Sequence, residues 1–187
     1  MLHDLRNLRI PTARLLLRTF SQNDLTALVS LVRQPEITTN LPDWAMTIEQ
    51  CEQWLAWQET NLVRLDSDNP AVPLAICLPD GELIGWLGIW PKPSVHVDSP
   101  EVMYALSRTY RGRGYVSEAV RAATQWLFGL SPLPQLMAVV KPSNPDSRRV
   151  VLRSGFAASG TVRCDDDGWF DYFVLQRPEA MDGCPPA

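Results

Sequence analysis

Residues 110–116 combine the residue types that bind small anions. This stretch reads Tyr110-Arg111-Gly112-Arg113-Gly114-Tyr115-Val116. Glycines let the backbone turn tightly and approach a ligand closely. If a helix begins at Gly114, its first amides have no intrahelical acceptors and lie at the positive end of the helix dipole. The stretch therefore predicts a binding site for an anionic group.

The charge of the whole chain favours a small ligand over a nucleic acid. The 187 residues carry a net charge of -4, and nucleic-acid binding domains are usually basic. Arg108, Arg111 and Arg113 lie within six positions of one another. A local positive cluster on an acidic protein points to a small anion. We expect no nucleic-acid partner.

Length and composition are typical of one globular domain. With 45% hydrophobic and 20% charged residues, the chain can bury a sizeable core. No apolar run approaches the roughly 20 residues that span a bilayer, and the N-terminus lacks a secretory core. We expect a single cytoplasmic domain over residues 1–177, with a flexible tail over 178–187 and no membrane partner.

The four cysteines predict neither a metal site nor a redox motif. Cys51, Cys77, Cys164 and Cys184 are widely scattered, and no pair has ligand or redox spacing. We expect buried thiols and no bound metal.

Hydrophobic periodicity predicts alternating strands and helices around this loop. Helices are predicted after Ser21, after the capping box Thr47–Gln50, from Gly114 to Phe128, and from Asn144 to Gly155. The second helix is expected to carry Ile48, Cys51, Leu55 and Leu62 on one face. Seven strands are predicted: Thr12–Phe20, Ala71–Leu78, Leu83–Trp90, Glu101–Ser107, Leu136–Val140, Phe156–Arg163 and Trp169–Leu175.

The order of these elements predicts a mixed α/β sheet of about seven strands with helices on its faces. Strand–helix–strand crossovers near the middle require locally parallel pairing. Hairpins before and after them, including one across Asp165–Gly168, give antiparallel pairing.

Two common anion loops do not match residues 110–116. The phosphate loop of nucleotide hydrolases requires Gly-x-x-x-x-Gly-Lys-Ser/Thr, and no such run exists here. A dinucleotide loop requires a third glycine where Ser117 stands, and it also requires a partner acid on a second parallel strand.

A third pattern fits, because the chain resembles the GNAT superfamily of acetyl-coenzyme A-dependent N-acetyltransferases, most closely its RimJ/RimL branch. The segment Arg111–Val116 is similar to the pyrophosphate loop Arg/Gln-x-x-Gly-x-Gly/Ala, with Val116 at the small-residue position. Glu101–Tyr104 is similar to the family's fourth strand. Asn144–Phe156 is similar to its Asn-x-x-Ser…Gly-Phe segment. The resemblance covers residues 12–175.

This resemblance implies a GNAT fold, with a mostly antiparallel twisted sheet whose middle strands splay apart. Acetyl-coenzyme A is implied as co-substrate, its pantetheine arm lying in the gap beside the fourth strand. An amide at Leu106 could also hold the thioester carbonyl. The implied cofactor-binding residues are Ala105, Leu106, Arg111, Gly112, Arg113, Gly114, Tyr115, Val116 and Asn144. For Asn144 a plain helix cap is the alternative.

The resemblance also implies catalytic residues. Ser147 matches the position that protonates the departing thiolate, although a simple first-turn hydroxyl is the alternative. Glu101 is the candidate base, acting through water, unless it is a solvated edge-strand carboxylate. His96 is a second candidate base. Tyr104 is expected in the core, and Asp171 could hold a cationic substrate or pair with an arginine.

The predicted function is acetyl transfer to a primary amine by direct attack in a ternary complex, because no cysteine lies near the loop. The acceptor is a protein N-terminus or a small molecule, in a groove flanked by Trp44, Trp54 and Trp57. An α-amine has a pKa of ~7.7–8.0, so it needs a weaker base than a lysine side chain, whose pKa is ~10.4. A non-catalytic acyl-coenzyme A-binding module and a domain that merely keeps the fold are the alternatives. The last hairpin could support a homodimer.

Overall fold

The computed structural model describes residues 2–61, 64–66, 70–165 and 168–179. The helices are α1 (Leu25–Val32), α2 (Pro35–Thr38), α3 (Ile48–Asn61), α4 (Tyr115–Leu130) and α5 (Pro145–Arg153). The strands are β1 (Leu2–Asp4), β2 (Arg9–Pro11), β3 (Leu16–Arg18), β4 (Arg64–Asp66), β5 (Val72–Cys77), β6 (Leu83–Trp90), β7 (Glu101–Leu106), β8 (Gln135–Val140), β9 (Ala157–Cys164) and β10 (Gly168–Gln176).

The main sheet has eight strands in the order β2-β3-β5-β6-β7-β8-β10-β9. Every neighbouring pair is antiparallel except β7 and β8, which confirms the predicted mixed, mostly antiparallel sheet. The sheet has one strand more than predicted, because residues 9–11 form β2 and pair with β3. The strand expected over residues 12–20 is shorter and is limited to β3. A separate two-stranded ladder joins β1 to β4.

The parallel pair at the centre of the sheet diverges almost at once. Strands β7 and β8 share one register pair, Glu101 with Met137. On its other side β7 pairs with β6 over six positions, from Gly85–Leu106 to Trp90–Glu101. The sheet is therefore open beyond Glu101, as the predicted splay requires.

Helices cover both faces of the sheet. Successive side chains of a strand point to opposite faces, so each face carries apolar side chains that helices can bury. On β5, Leu74 and Ile76 pack in the cluster that includes α4 and α5, whereas Ala75 and Cys77 pack in the cluster of α1 and α3. The apolar stripe predicted for α4 is buried, at Val116, Ala119, Val120, Ala123 and Leu127.

The predicted start of α3 is confirmed, and its apolar face is buried only in part. Thr47 and Gln50 exchange the two hydrogen bonds of a capping box. Cys51 and Leu55 are buried, whereas Ile48 is 42% exposed, because it lies one turn before the core-facing stripe begins. Leu62 lies outside the described residues.

Some sequence predictions fall on residues that the structure does not describe. Cys184 and most of the predicted tail, residues 180–187, lie there, as do residues 166 and 167 in the last hairpin turn. The other three cysteines are buried. No helix among the described residues is long and apolar enough to cross a membrane.

Candidate active site

A cleft of about 870 Å³ opens where β7 and β8 diverge. All six residues of β7, Glu101–Leu106, line it. Because alternate residues of a strand face opposite sides of the sheet, the cleft reaches both faces. One end meets the 110–116 loop and the start of α5, and the other meets α2 and α3.

The loop presents a row of backbone amides to this cleft. Gly112 and Gly114 have φ values of 77° and 78°, a left-handed conformation that glycine adopts without strain. Gly114 is the N-cap of α4. In the described part of the chain, none of the N–H groups from Gly112 to Ser117 donates to a protein acceptor. The start of a helix with free amides is suited to bind an anion.

The two loop arginines have different surroundings. Arg111 lines the cleft, and its guanidinium donates to the carbonyls of Leu106, at 3.3 Å, and Glu36, at 3.2 Å. It thus ties the loop to the end of β7 and to α2. Arg113 lies over the ring of Tyr110 at 5.6 Å and is not among the residues that line the cleft.

A brace that the sequence did not reveal holds the outer side of the loop. Arg14 forms an ion pair with Glu118 at 2.6 Å and donates to the Arg113 carbonyl at 2.9 Å. Burial raises the pKa of Glu118, but hydrogen bonds from Thr12 and Arg14 outweigh it and lower that pKa overall. The sequence feature that could have indicated this brace is Glu118, an acidic residue in the first turn of α4.

The backbone of β7 has a definite orientation toward the gap. On the β8 side, the Met137 amide donates to the carbonyl of Pro100. On the β6 side, the Ser107 amide donates to the carbonyl of Ile84. Since backbone groups of alternate residues point to the same neighbouring strand, Leu106 directs its amide into the gap. Ala105 lines the cleft with its side chain, while its carbonyl faces Gly85 of β6.

Glu101 is buried at the floor of the cleft, not a solvated edge-strand carboxylate. It is 3% exposed, and its Oε2 lies 3.3 Å from the Lys92 ammonium. That contact is an ion pair by distance, since no described group makes a well-oriented hydrogen bond to Oε2. Burial raises the pKa of Glu101, and the Lys92 charge and the Val139 N–H offset part of the rise. A carboxyl of raised pKa suits a base that works near neutral pH.

Three further residues line the cleft where β7 meets the start of α5. Asn144 caps α5, because its side-chain oxygen accepts from the Ser147 amide at 3.1 Å. Tyr104 donates its hydroxyl to the Ser147 carbonyl at 3.1 Å, and burial raises its pKa. The start of α5 is therefore fixed against β7, with the Ser147 hydroxyl at the cleft.

Besides Arg113, two candidates from the sequence are not among the residues that line the cleft. His96 is exposed and pairs with Asp165 at 2.8 Å. Asp171 pairs with Arg148 at 2.7 Å, the arginine alternative considered for it. Lys92, which pairs with Glu101, is one of the charged cleft residues that the sequence did not reveal, because an isolated loop lysine carries no periodic or motif signal.

The end of the cleft next to α2 and α3 is aromatic. Trp44, Trp54, Trp57 and Trp90 line it. The first three were expected there, and Trp90 is added by the last position of β6. Together with the loop and Glu101, they give the cleft an anion-binding end, a buried carboxyl and an apolar end.

Comparison with known proteins gives a family for this arrangement. Residues 14–157 match the family model described as "Acetyltransferase (GNAT) domain". Among relatives from Bacillus subtilis, the protein YkkB is 29% identical over 83% of this chain and 88% of its own length. The N-acetyltransferase YnaD is 25% identical over 92% of this chain and 99% of its own length.

Solved structures share the fold at lower identity. An acetyltransferase of the GNAT family from Bacillus anthracis superimposes with a TM-score of 0.75 at 21% identity, covering 92% of this chain and all of its own. The ribosomal-protein-S5-alanine acetyltransferase of Vibrio fischeri gives 0.69 at 17%, covering 92% and 98%. Aminoglycoside acetyltransferase AAC(6')-Ib in complex with coenzyme A and kanamycin gives 0.67 at 23%, covering 87% and 95%.

Proposed function

The chain belongs to the GNAT acetyltransferase family, and from that premise we propose that it transfers the acetyl group of acetyl-coenzyme A to a primary amine. One observation carries the proposal. The free amides at the start of α4, the open edge of β7 and the buried Glu101 all line a single cleft. Such a cleft can hold a phosphorylated thioester against a base.

The residues of the cleft fit acetyl-coenzyme A. The amides from Gly112 to Val116 would hold the two linked phosphates, because free amides at a helix start favour anions. Arg113 would contribute its amide, since its side chain lies over Tyr110. The backbone of β7 at Leu106, beside Ala105, would pair with the amide-containing arm as an added strand does. Asn144 would border that arm from the α5 side.

The co-substrate supplies an activated acetyl group on sulfur, and the chain must supply proton transfers and orientation. Glu101, as the carboxylate, would accept the proton of the ammonium acceptor through a water molecule. The Leu106 amide points into the gap, where it would stabilise negative charge developing on the thioester oxygen. The Ser147 hydroxyl would donate a proton to the departing thiolate.

Direct transfer is favoured over an acetyl-cysteine intermediate. Among the described residues, Cys51, Cys77 and Cys164 are buried, and none lines the cleft. Burial raises the pKa of the Cys51 and Cys77 thiols, which disfavours the nucleophilic thiolate. We propose that the amine attacks within a ternary complex.

The acceptor is open between a protein N-terminus and a small molecule. The S5-alanine enzyme is named for a ribosomal protein, and AAC(6')-Ib was solved with kanamycin; both share this fold at low identity. An α-amine with a pKa near ~7.7–8.0 is partly neutral at physiological pH. One buried carboxyl of raised pKa is sufficient for such an amine.

Acetyl-coenzyme A consumption with a panel of peptides and small amines tests the proposal. We expect turnover with at least one amine, its loss in Glu101→Gln, and a reduced rate in Ser147→Ala. Isothermal titration should give coenzyme A affinities within about twofold of the parent for both variants. Tight binding without turnover of any amine would instead identify a non-catalytic acyl-coenzyme A-binding module.

A further inference from the structure

Four tryptophans form one wall of the cleft, and three of them are linked by ring contacts through one another or through the buried Trp86. Trp44 stacks on the buried Trp86 with ring centroids 3.9 Å apart and planes 19° apart. Trp86 lies parallel to Trp90 at 6.3 Å, and Trp54 meets Trp44 edge-on at 5.3 Å. Trp57 completes the wall and is 51% exposed. Such offset-stacked and edge-on pairs are favoured geometries, so the wall is preorganised.

Trp90 is held flat against the sheet by the absence of a side chain beneath it. A Cβ on Gly88 would lie 1.8 Å from the Trp90 ring. Because β6 places residues 88 and 90 on the same face, only glycine lets the indole lie over the backbone. The ring at this end of the cleft therefore has a fixed position.

Three of the four acidic residues that line the cleft in the described part of the chain are paired within the protein. Glu36 pairs with Arg108 at 2.9 Å, Glu101 pairs with Lys92 at 3.3 Å, and Asp146 pairs with Arg149. Asp43 is the other acidic residue among the described ones that line the cleft. A ligand with several positive charges would meet few unpaired carboxylates, and the cleft is also lined by the cationic residues Lys92, Arg111 and Lys141. The wall thus favours a ligand with one amine over a polycation.

We infer that the acceptor is a primary amine carried on an aromatic group, which rests on the acetyl transfer proposed above. The aromatic group stacks on the tryptophan wall, and the amine lies toward Glu101. Stacking on fixed rings selects flat aromatic groups, because a saturated ring of similar area gains burial but not the π contact. An arylalkylamine and a peptide whose first residue is aromatic share this chemistry.

Two amines of matched size test the inference. 2-Phenylethylamine and 2-cyclohexylethylamine have similar volume and one ammonium group, and they differ in aromaticity. We expect kcat/KM to favour the phenyl compound by roughly two- to tenfold, and kanamycin to be a poorer acceptor than both. Equal values for the two amines, or a preference for kanamycin, would overturn the inference while leaving acetyl transfer intact.

Peptides distinguish the two sources of an aromatic amine. A peptide with phenylalanine first is compared with the same peptide with alanine first and with 2-phenylethylamine. Preference for the phenylalanine peptide over 2-phenylethylamine identifies a polypeptide acceptor, and the reverse identifies a small molecule; either supports the inference. Quenching of tryptophan fluorescence by each amine, with coenzyme A present, measures binding without turnover. If no amine reacts although the phenyl compound quenches, acetyl transfer fails and the aromatic site stands.

Two exposed tryptophans provide a matched pair of variants. Trp57→Ala should raise KM for 2-phenylethylamine roughly fivefold, with kcat and the KM of the cyclohexyl compound changed less than about twofold. Trp57→Phe should restore most of the loss. Trp169 is 64% exposed and is not among the cleft residues. Trp169→Ala should therefore leave KM and kcat unchanged for both amines. An unaltered preference in Trp57→Ala would contradict the assigned wall, and Trp90→Leu repeats the test at the fixed ring.

Discussion

At the scale of single residues, the ion pair between Lys92 and Glu101 decides when the proposed base is charged. Burial favours the protonated carboxyl, and the ammonium at 3.3 Å favours the carboxylate. The Val139 N–H on β8 also favours the carboxylate and lowers the pKa of Glu101. We therefore propose that Lys92 positions the Glu101 carboxylate and balances its charge in this reaction.

Replacing Lys92 by methionine should move the acidic limb of the activity profile. Loss of the ammonium raises the pKa of Glu101 further, so kcat/KM at about pH 6 should fall more than at about pH 9. Lys92→Arg keeps the charge and should keep the limb in place. The pH dependence of kcat/KM checks this, and identical limbs in all three proteins would exclude Glu101 as the titrating base.

Glu101 should lower the free energy of unfolding at neutral pH. Its folded pKa is raised, so between the ordinary glutamate pKa and the folded pKa the native state holds a proton that the unfolded chain has released. Stability is then lost as pH rises from the ordinary glutamate value through the folded one. We expect Glu101→Gln to stabilise the protein by on the order of 1 kcal/mol at neutral pH, and by little near pH 4. Urea unfolding at both pH values measures this difference, and an equal effect at both would contradict it.

At the scale of elements, the anion-binding loop is fixed from both sides before any ligand arrives. Arg111 joins it to β7 and α2, and the Arg14–Glu118 brace joins it to the segment between β2 and β3. Its glycines hold φ near 77°. The free amides are therefore preorganised, and binding need not order the loop.

Alanine at Gly112 tests the loop against a matched turn. Gly112 and Gly81 both have positive φ and open space where the methyl group of an alanine would lie, so alanine at either should cost about 1–2 kcal/mol of stability. Only Gly112→Ala should also weaken coenzyme A binding, by about tenfold or more, because the strain moves the anion-binding amides. Chemical denaturation and isothermal titration separate the two effects. Equal coenzyme A affinity in both variants would count against the loop.

Local signals predicted most of the elements that build this site. The capping box at Thr47, the proline after Asn144 and the glycines at 112 and 114 each fix a backbone conformation through near neighbours. What the sequence could not reveal depends on distant partners. Arg14 meets Glu118 across 104 positions, and Lys92 meets a strand that begins beyond an irregular loop. The exposure of Ile48 likewise depends on where the core ends, which periodicity does not encode.

At the scale of the whole molecule, the sheet is interrupted where it would otherwise be continuous. Helices lie on both faces of the sheet, yet β7 and β8 pair at a single position. Backbone groups of β7 beyond Glu101 thus face a cleft instead of a strand. An open edge inside a domain is an unpaired template that a ligand with amide groups can complete.

Coenzyme A should therefore stabilise the fold and protect this edge. A ligand at 100 times its dissociation constant adds ~2.7 kcal/mol to the free energy of unfolding. We expect a higher Tm with coenzyme A, and slower hydrogen exchange of the amides over residues 102–106 and 112–117. Thermal unfolding and exchange mass spectrometry measure the two effects. A raised Tm with unchanged exchange in both segments would assign binding to another surface.

A crystal structure of the protein with coenzyme A tests the central claim most directly. The account predicts the linked phosphates within hydrogen-bonding distance of the amides from Gly112 to Val116, and the pantetheine arm along β7 with its sulfur on the Ser147 side of the gap. Coenzyme A bound elsewhere, with those amides turned away or paired to the protein, would contradict it.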